Sequence, residues 1–235
     1  MAIRVDTIDP SRTAVLVVDM QHDFLDPDAA MFARTAARAV EPVRQVLDVA
    51  RETGMHVFFT VHSHRFDGSD HGLFGRIWSP IAQRASLVRD TRGTQVVPDL
   101  APRDDEPVIA KHRYSAFFDT NLDSMLHEHA IETVAVCGTT TECCCHATAR
   151  DAMFRDYEVV FLSDATGTFD QPDNGYGAMS AEEVQRSTLI VLANTTSHVM
   201  TADEFARTAR ESTVVPSGDR QDLAGADQAD PLPRR

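Results

Sequence analysis

The sequence predicts an α/β fold. It is a three-layer α/β/α sandwich around a Rossmann-like, mostly parallel sheet of about six strands. Three observations carry this. Apolar runs of strand length alternate with helical patterns along the whole chain, the signature of strand–helix–strand units. The first run, Thr13–Asp19, is continuously apolar rather than alternating, as expected for a strand buried on both faces of a parallel sheet. Reactive residues recur at strand ends, where ligands bind in open parallel sheets.

The elements follow in order. Residues 13–19 form the first strand. Residues 34–53 show helical periodicity through Ala37, Val40, Val43, Val46, Leu47 and Ala50, stopped by Gly54. Residues 55–61 form a second strand. The stretch 63–106 is long, mixed and rich in Gly, Pro and charge, with short helices and loops. Val108–Lys111 is a short third strand, and 120–130 reads as a helix with Thr120 as its N-cap candidate. Strand four is Thr133–Cys137, ending at Gly138, and a helix runs from about Cys143 to Arg155. Strand five is Tyr157–Leu162, followed by a Gly- and Asp-rich loop over 164–178. Ser180 with Glu183 forms a capping box that opens a helix. Leu189–Ala193 suits a strand by composition, but its continuity with the preceding helical pattern favours helix. A sixth strand at Ser197–Met200 and a helix over 202–211 complete the domain, placed at 1–211. The tail 212–235 lacks core residues and reads as flexible.

Composition narrows the function. The chain has 235 residues, 43% of them hydrophobic, enough for one sizeable core. With 22 basic and 36 acidic residues the net charge is −14, and no Lys/Arg cluster is present. That argues against nucleic acid or an anionic membrane surface as partner. No apolar run approaches the roughly 20 residues of a membrane span, and the N-terminus lacks a signal-peptide core. A cytoplasmic location is expected.

All four cysteines lie between positions 137 and 145: Cys137, Cys143, Cys144 and Cys145. Neighbouring residues do not ordinarily meet disulfide geometry. Zinc sites use spaced pairs with a second cluster elsewhere, which is missing. A functional thiol or small buried filler remains. The position at a helix start favours a thiolate, the nucleophilic form. Asp19 after strand one, Lys111 after strand three and Cys144 after strand four would then converge on one edge of the sheet. In such a trio Asp19 is the base, Lys111 the cation that steadies carboxylate and thiolate, and the backbone N–H groups of Thr140 and Cys144 the oxyanion donors. An Asp ending a strand is also commonly just a turn or helix cap.

Three ordered motifs carry a resemblance. They are Val17-Val18-Asp19-Met20-Gln21-x-Asp23-Phe24, Lys111-x-Arg113-Tyr114-Ser115-x-Phe117, and Gly138-x-x-Thr141-x-x-Cys144 with Thr148-Ala149-Arg150-Asp151-Ala152. Over roughly residues 12–210 the chain resembles the isochorismatase-like cysteine hydrolase superfamily. The resemblance implies catalytic roles for Asp19, Lys111 and Cys144. It also implies a non-proline cis peptide at Thr139–Thr140 and filler roles for Cys143 and Cys145. Homodimers or homotetramers are implied by it as well. Members include nicotinamidases, N-carbamoylsarcosine and biuret amidohydrolases, ureidoacrylate amidohydrolases, a streptothricin lactam hydrolase and isochorismatases proper. The last cleave a vinyl ether by acid catalysis without needing the thiol, so Cys144 favours C–N hydrolysis of a small amide or ureido substrate. The 113–120 stretch looks most like the ureidoacrylate and carbamoyl-amide branch.

Nicotinamidases hold a divalent metal through an Asp-x-His pair and a later His. The matching stretch here has His62, His64 and His71, with His in place of the Asp, and no metal or other cofactor is expected. Phe24, Trp78, Tyr114 and Phe117 are candidates for an apolar substrate slot. Arg113 could pair a substrate carboxylate or make a structural ion pair. Phe66 and the 166–178 loop are lid candidates. Vinyl-ether or ester cleavage led by Asp19, and a non-catalytic binding module on the same fold, remain as rivals.

Overall fold

The computed structural model describes residues 4–214. Six parallel strands form one sheet: β1 (Thr13–Val18), β2 (His56–His62), β3 (Val108–Lys111), β4 (Thr133–Thr139), β5 (Glu158–Gly167) and β6 (His198–Met200). Their order is β3-β2-β1-β4-β5-β6. The pairing is parallel throughout, for example Val17 beside Phe59 on one side and beside Cys137 on the other. Every residue of β1 is buried, as its unbroken apolar run requires.

Successive residues of each strand feed two cores, one on each face. Val15, Val17, Val57, Phe59, Ala135 and Leu162 face the Val40–Thr53 and Ala202–Val214 helices, whose apolar sides contribute Val43, Leu47, Phe205 and Ala209. Leu16, Val18, Phe58, Val136 and Phe161 face the opposite layer, which contributes Leu122, Leu126, Ala149, Ala152 and Leu192. The result is the three-layer sandwich.

Where the elements differ from expectation, local chemistry explains it. The 34–53 helix is split into Arg34–Arg38 and Val40–Thr53. Pro42 has no N–H for the carbonyl of Arg38 and its ring crowds that carbonyl. Gly54 closes the second piece in a left-handed conformation, φ 78°. β5 continues through Asp164–Gly167, where a loop was expected, because after a register shift Thr166 and Gly167 pair with Gly138 and Thr139. The helix after β4 is preceded by a π-helical turn, Thr141–Cys145, and becomes α-helical only over His146–Met153. Leu189–Ala193 is helical, within Ala181–Thr195, and both halves of the Ser180–Glu183 capping box are made. The last helix reaches Val214, and the tail expected beyond it lies outside the described residues. No helix among the described residues is long and apolar enough to cross a membrane.

Candidate active site

β1 and β4 are neighbours at the centre of the sheet, and the chain leaves them toward opposite edges. The crevice beyond their carboxyl ends is the switch point of such a sheet. Asp19 follows β1 in a left-handed conformation, φ 51°, which short polar Asp tolerates better than most residues. This turns its carboxylate into the crevice. Thr60 of β2 donates its hydroxyl to Asp19 Oδ1 at 2.7 Å. Lys111, the last residue of β3, brings Nζ to 2.6 Å from Asp19 Oδ2. The same ammonium donates to the Arg113 carbonyl at 3.0 Å and to Cys144 Sγ at 3.4 Å. Its three N–H bonds therefore face three partners.

Cys144 sits in the π-helical turn that follows β4. Gly138 permits that approach: its φ is 118°, and a Cβ there would fall 2.0 Å from the Val18 carbonyl oxygen. The Thr139–Thr140 peptide is cis. Asp19, Lys111 and Cys144 are all buried. Burial alone would push the Lys111 ammonium toward neutrality. The adjoining Asp19 carboxylate and Cys144 sulfur more than offset it and hold the group protonated.

The thiol behaves differently from the helix-start expectation. Burial pushes Cys144 well above its ordinary value, and Lys111 counters this only in part. An oxygen of the Asp19 carboxylate lies beside this sulfur, within 4.8 Å.

A narrow cleft opens onto Cys144, lined by Phe24, Met31, His62, Phe74, Trp78, Ile81, Leu87, Tyr114, Thr140, Cys143 and Phe169 as well. Phe74 packs on Tyr114 with ring centroids 4.7 Å apart, Trp78 Nε1 donates to Tyr114 Oη at 3.0 Å, and Phe169 stands edge-on to Trp78.

Residues 13–204 match the isochorismatase domain model. The chain belongs to the isochorismatase domain family. Among relatives of this isochorismatase-domain chain, a probable inactive nicotinamidase of Arabidopsis thaliana is 34% identical over 156 residues, covering 66% of this chain and 80% of that one. A ureidoacrylate amidohydrolase, RutB, of Caulobacter segnis is 32% identical over 176 residues, covering 68% and 74%. A solved cysteine hydrolase from Pseudomonas syringae pv. phaseolicola superposes with a TM-score of 0.86 at 38% identity, covering 90% of this chain and 98% of that one.

The other motif residues of the isochorismatase domain act as fasteners here. Gln21 exchanges two hydrogen bonds with the backbone of His62, 2.7 and 3.0 Å, tying the end of β1 to that of β2. Asp23 accepts from Leu87 N at 2.6 Å. Ser115 bonds Asp151, and Ala116 N donates to Thr148 Oγ1 at 3.0 Å, fixing the loop after Lys111 to the helix after Cys144.

Phe24, Trp78 and Tyr114 line the cavity, but Phe117 and Arg113 do not. Phe117 is buried in the opposite core, stacked on Tyr157, because the Ser115 and Ala116 fasteners turn it inward. Arg113 donates to the Asp70 and His112 carbonyls and lies over the Phe74 ring, 5.4 Å from its centroid, a structural placement. Cys145 is core, whereas Cys143 is part of the cavity wall, its thiol pushed up to about 12 by burial and by Glu142. Phe66 lies on the surface at 70% exposure, and Phe169 is the residue of the 166–178 loop that reaches the cavity. Met31, Phe74, Ile81, Leu87 and Phe169 were not singled out from sequence. They sit in loops or in four-residue helices, Phe74–Ile77 and Ser79–Ala82, too short for a periodicity to tell which side chain turns inward.

The nicotinamidase metal pattern does not fit. His62 replaces its Asp, and the His62 and His64 Nε2 atoms lie 3.1 Å apart, bonded to each other rather than aimed at a common ion. His64 Nδ1 is 3.4 Å from Asp70, whose carboxylate also accepts from Arg65 N. His64, Asp70 and His71 do place ligand atoms within 4.8 Å of one another, as do Asp19, His62 and Cys144. The second group shares its space with the Lys111 ammonium, an unfavourable neighbour for a cation.

Proposed function

We propose that this protein is a cysteine amidohydrolase that cleaves a C–N bond of a small amide, ureido or carbamoyl substrate. The supporting observation is the buried Asp19–Lys111–Cys144 arrangement beneath an apolar cleft. The amidohydrolase relative with retained overall similarity points the same way.

The reaction runs in two halves. Asp19 takes the Cys144 proton as the sulfur attacks the carbonyl carbon, and Lys111 balances the negative charge that passes between them. The carbonyl oxygen becomes an oxyanion held by the N–H groups of Thr140 and Cys144. Asp19 returns the proton to the leaving nitrogen, the C–N bond breaks, and a thioester remains on Cys144. A water then attacks the thioester, giving its proton to Asp19. The acid leaves and the sulfur recovers its proton from Asp19. A neutral resting thiol suits this cycle, because deprotonation is coupled to attack and the sulfur is not exposed as a standing thiolate.

An ammonia-release screen over ureido acids, carbamoyl compounds, simple amides and small lactams tests this, with Cys144→Ala as the blank. Turnover that Cys144→Ala leaves unchanged would sink the thioester route. If no compound releases ammonia and the protein instead cleaves vinyl ethers or esters, with Asp19→Asn abolishing that activity and Cys144→Ala sparing it, the reaction is acid-led.

A further inference from the structure

His62 stands in the site without a part in the cycle described above. Its ring lines the cleft, and a ring nitrogen lies within 4.8 Å of both an Asp19 carboxylate oxygen and Cys144 Sγ. The residue is firmly placed. It ends β2, Gln21 bonds its backbone N–H and carbonyl at 2.7 and 3.0 Å, and its ring packs against Phe74. We infer that His62 is a further catalytic residue: together with Asp19 it holds the water that hydrolyses the Cys144 thioester.

The chain of contacts behind the ring assigns its tautomer. A neutral imidazole donates from one nitrogen and accepts at the other. His62 Nε2 and His64 Nε2 are 3.1 Å apart, so one of them donates to the other. His64 Nδ1 lies 3.4 Å from the Asp70 carboxylate, long for a hydrogen bond but close enough for charge to decide. The carboxylate favours an N–H over a lone pair at Nδ1, which leaves His64 Nε2 as the acceptor. His62 therefore donates from Nε2 and keeps its lone pair on Nδ1, the nitrogen left for the cleft. Burial and the Lys111 ammonium keep the ring neutral, so that lone pair is not lost to a proton.

A water at the centre of the Asp19–His62–Cys144 triangle lies at most about 2.8 Å from each corner, an ordinary hydrogen-bond length. Its two hydrogens then point to Asp19 and to His62 Nδ1, and its lone pair to the acyl carbon on the sulfur. The new O–C bond forms as Asp19 takes one proton. The C–S bond breaks, and the sulfur recovers that proton from Asp19. The second hydrogen stays on the product acid, and no further reactant is needed. The role rests on the thioester route proposed above. It also leaves the first half-reaction untouched, since attack by the sulfur uses Asp19 and Lys111.

4-Nitrophenyl acetate, an activated ester that acylates thiols, isolates the second half-reaction. Release of the first equivalent of 4-nitrophenolate gives the acylation rate. Steady turnover divided by the acetylated fraction, read by mass spectrometry of quenched samples, gives the deacylation rate. Peptide mapping locates the acetyl group, and Cys144→Ala is the blank. His62→Leu should acylate within about threefold of the unmutated rate and deacylate at least about tenfold more slowly, because the water is no longer aimed. His62→Asn, which puts an amide oxygen near the place of Nδ1, should deacylate at least about threefold faster than His62→Leu. A smaller loss in His62→Leu, equal slowing of both half-reactions, or His62→Asn as slow as His62→Leu overturns the role of His62 alone. Acylation that Cys144→Ala leaves unchanged overturns the thioester route, and the role of His62 with it.

Discussion

The inner end of the site and its outer wall are built on opposite principles. At the inner end, three charged or nucleophilic side chains from the ends of β1, β3 and β4 are locked together without solvent. On the outer wall, apolar side chains from loops and one-turn helices lean on one another around a cleft. Strand register fixes the first: Val18 lies beside Gly138 and Thr60, and His62 beside Lys111, so the three strand ends fall at one level. Loop packing fixes the second, and a loop can exchange one ring for another without moving a strand. The inner end should therefore tolerate no substitution, while the wall should trade substrate preference against small losses.

The most severe break in that comparison is Cys144→Ala. It removes the sulfur proposed to form the thioester, and losing the nucleophile of a triad commonly costs about 10⁴-fold or more in kcat. Substrate binding should stay within a few-fold, since the wall is untouched. Steady-state kinetics on any substrate found, beside equilibrium binding to the variant, gives both numbers. A kcat within tenfold of the unmutated enzyme would place the chemistry elsewhere.

Lys111→Met comes next and strikes stability as well as rate. It leaves the Asp19 carboxylate buried without a cation, beside the Thr60 hydroxyl and the Cys144 sulfur. Breaking a buried pair by removing one partner costs about 3–5 kcal/mol. The double variant Asp19→Asn/Lys111→Met should recover most of that loss in urea unfolding and none of the activity. A double variant as unstable as Lys111→Met alone would show that the lysine stem, rather than the ion pair, holds the site.

The same contrast decides what could be read from the sequence. The unbroken apolar run of β1 and the alternation of strands with helices announce the sheet, and Asp19, Lys111 and Cys144 are visible because strand ends are. The proposed trio became specific through motif resemblance, since an Asp ending a strand is by itself common. The wall was half legible. Phe24 and Tyr114 adjoin motif residues, but Phe169 sits in a loop whose inward turn depends on Thr35 and Glu142 bonding Thr168, contacts remote in sequence. Phe117 was misplaced for the converse reason: its neighbour Ser115 is bonded to Asp151, which turns the ring into the far core. Nor does sequence give the charge state of Cys144, because burial outweighs its helix-start position.

On the wall, effects should be smaller and fall on binding. Phe169→Ala removes the ring that closes the slot against Trp78. One aromatic contact is worth about 0.5–1.5 kcal/mol beyond its buried area, so a rise in KM of about tenfold with kcat changed less than threefold is expected. A kcat loss as large as that of Lys111→Met would mean that Phe169 positions the reacting groups and does not merely enclose substrate.

Between the two regions lies the His62–His64 pair, where the comparison can be sharpened by pH alone. Burial holds both imidazoles neutral, lowering His64 to about 4 and His62 in the same direction. An unfolded histidine takes its proton near pH 6.5, so as pH falls below that value the unfolded chain binds protons that the folded one refuses. The stability held by these groups is therefore complete above about pH 6.5 and declines as pH drops toward 4. For His64 alone the loss between pH 7 and 5.5 is about 1 kcal/mol. Urea unfolding at the two pH values measures it, and His64→Gln, which keeps a polar side chain without a titrating proton, should reduce the difference by about that amount. An equal pH difference in both proteins would mean that His64 titrates normally, and that the border between the charged inner end and the aromatic wall is wetter than its packing implies.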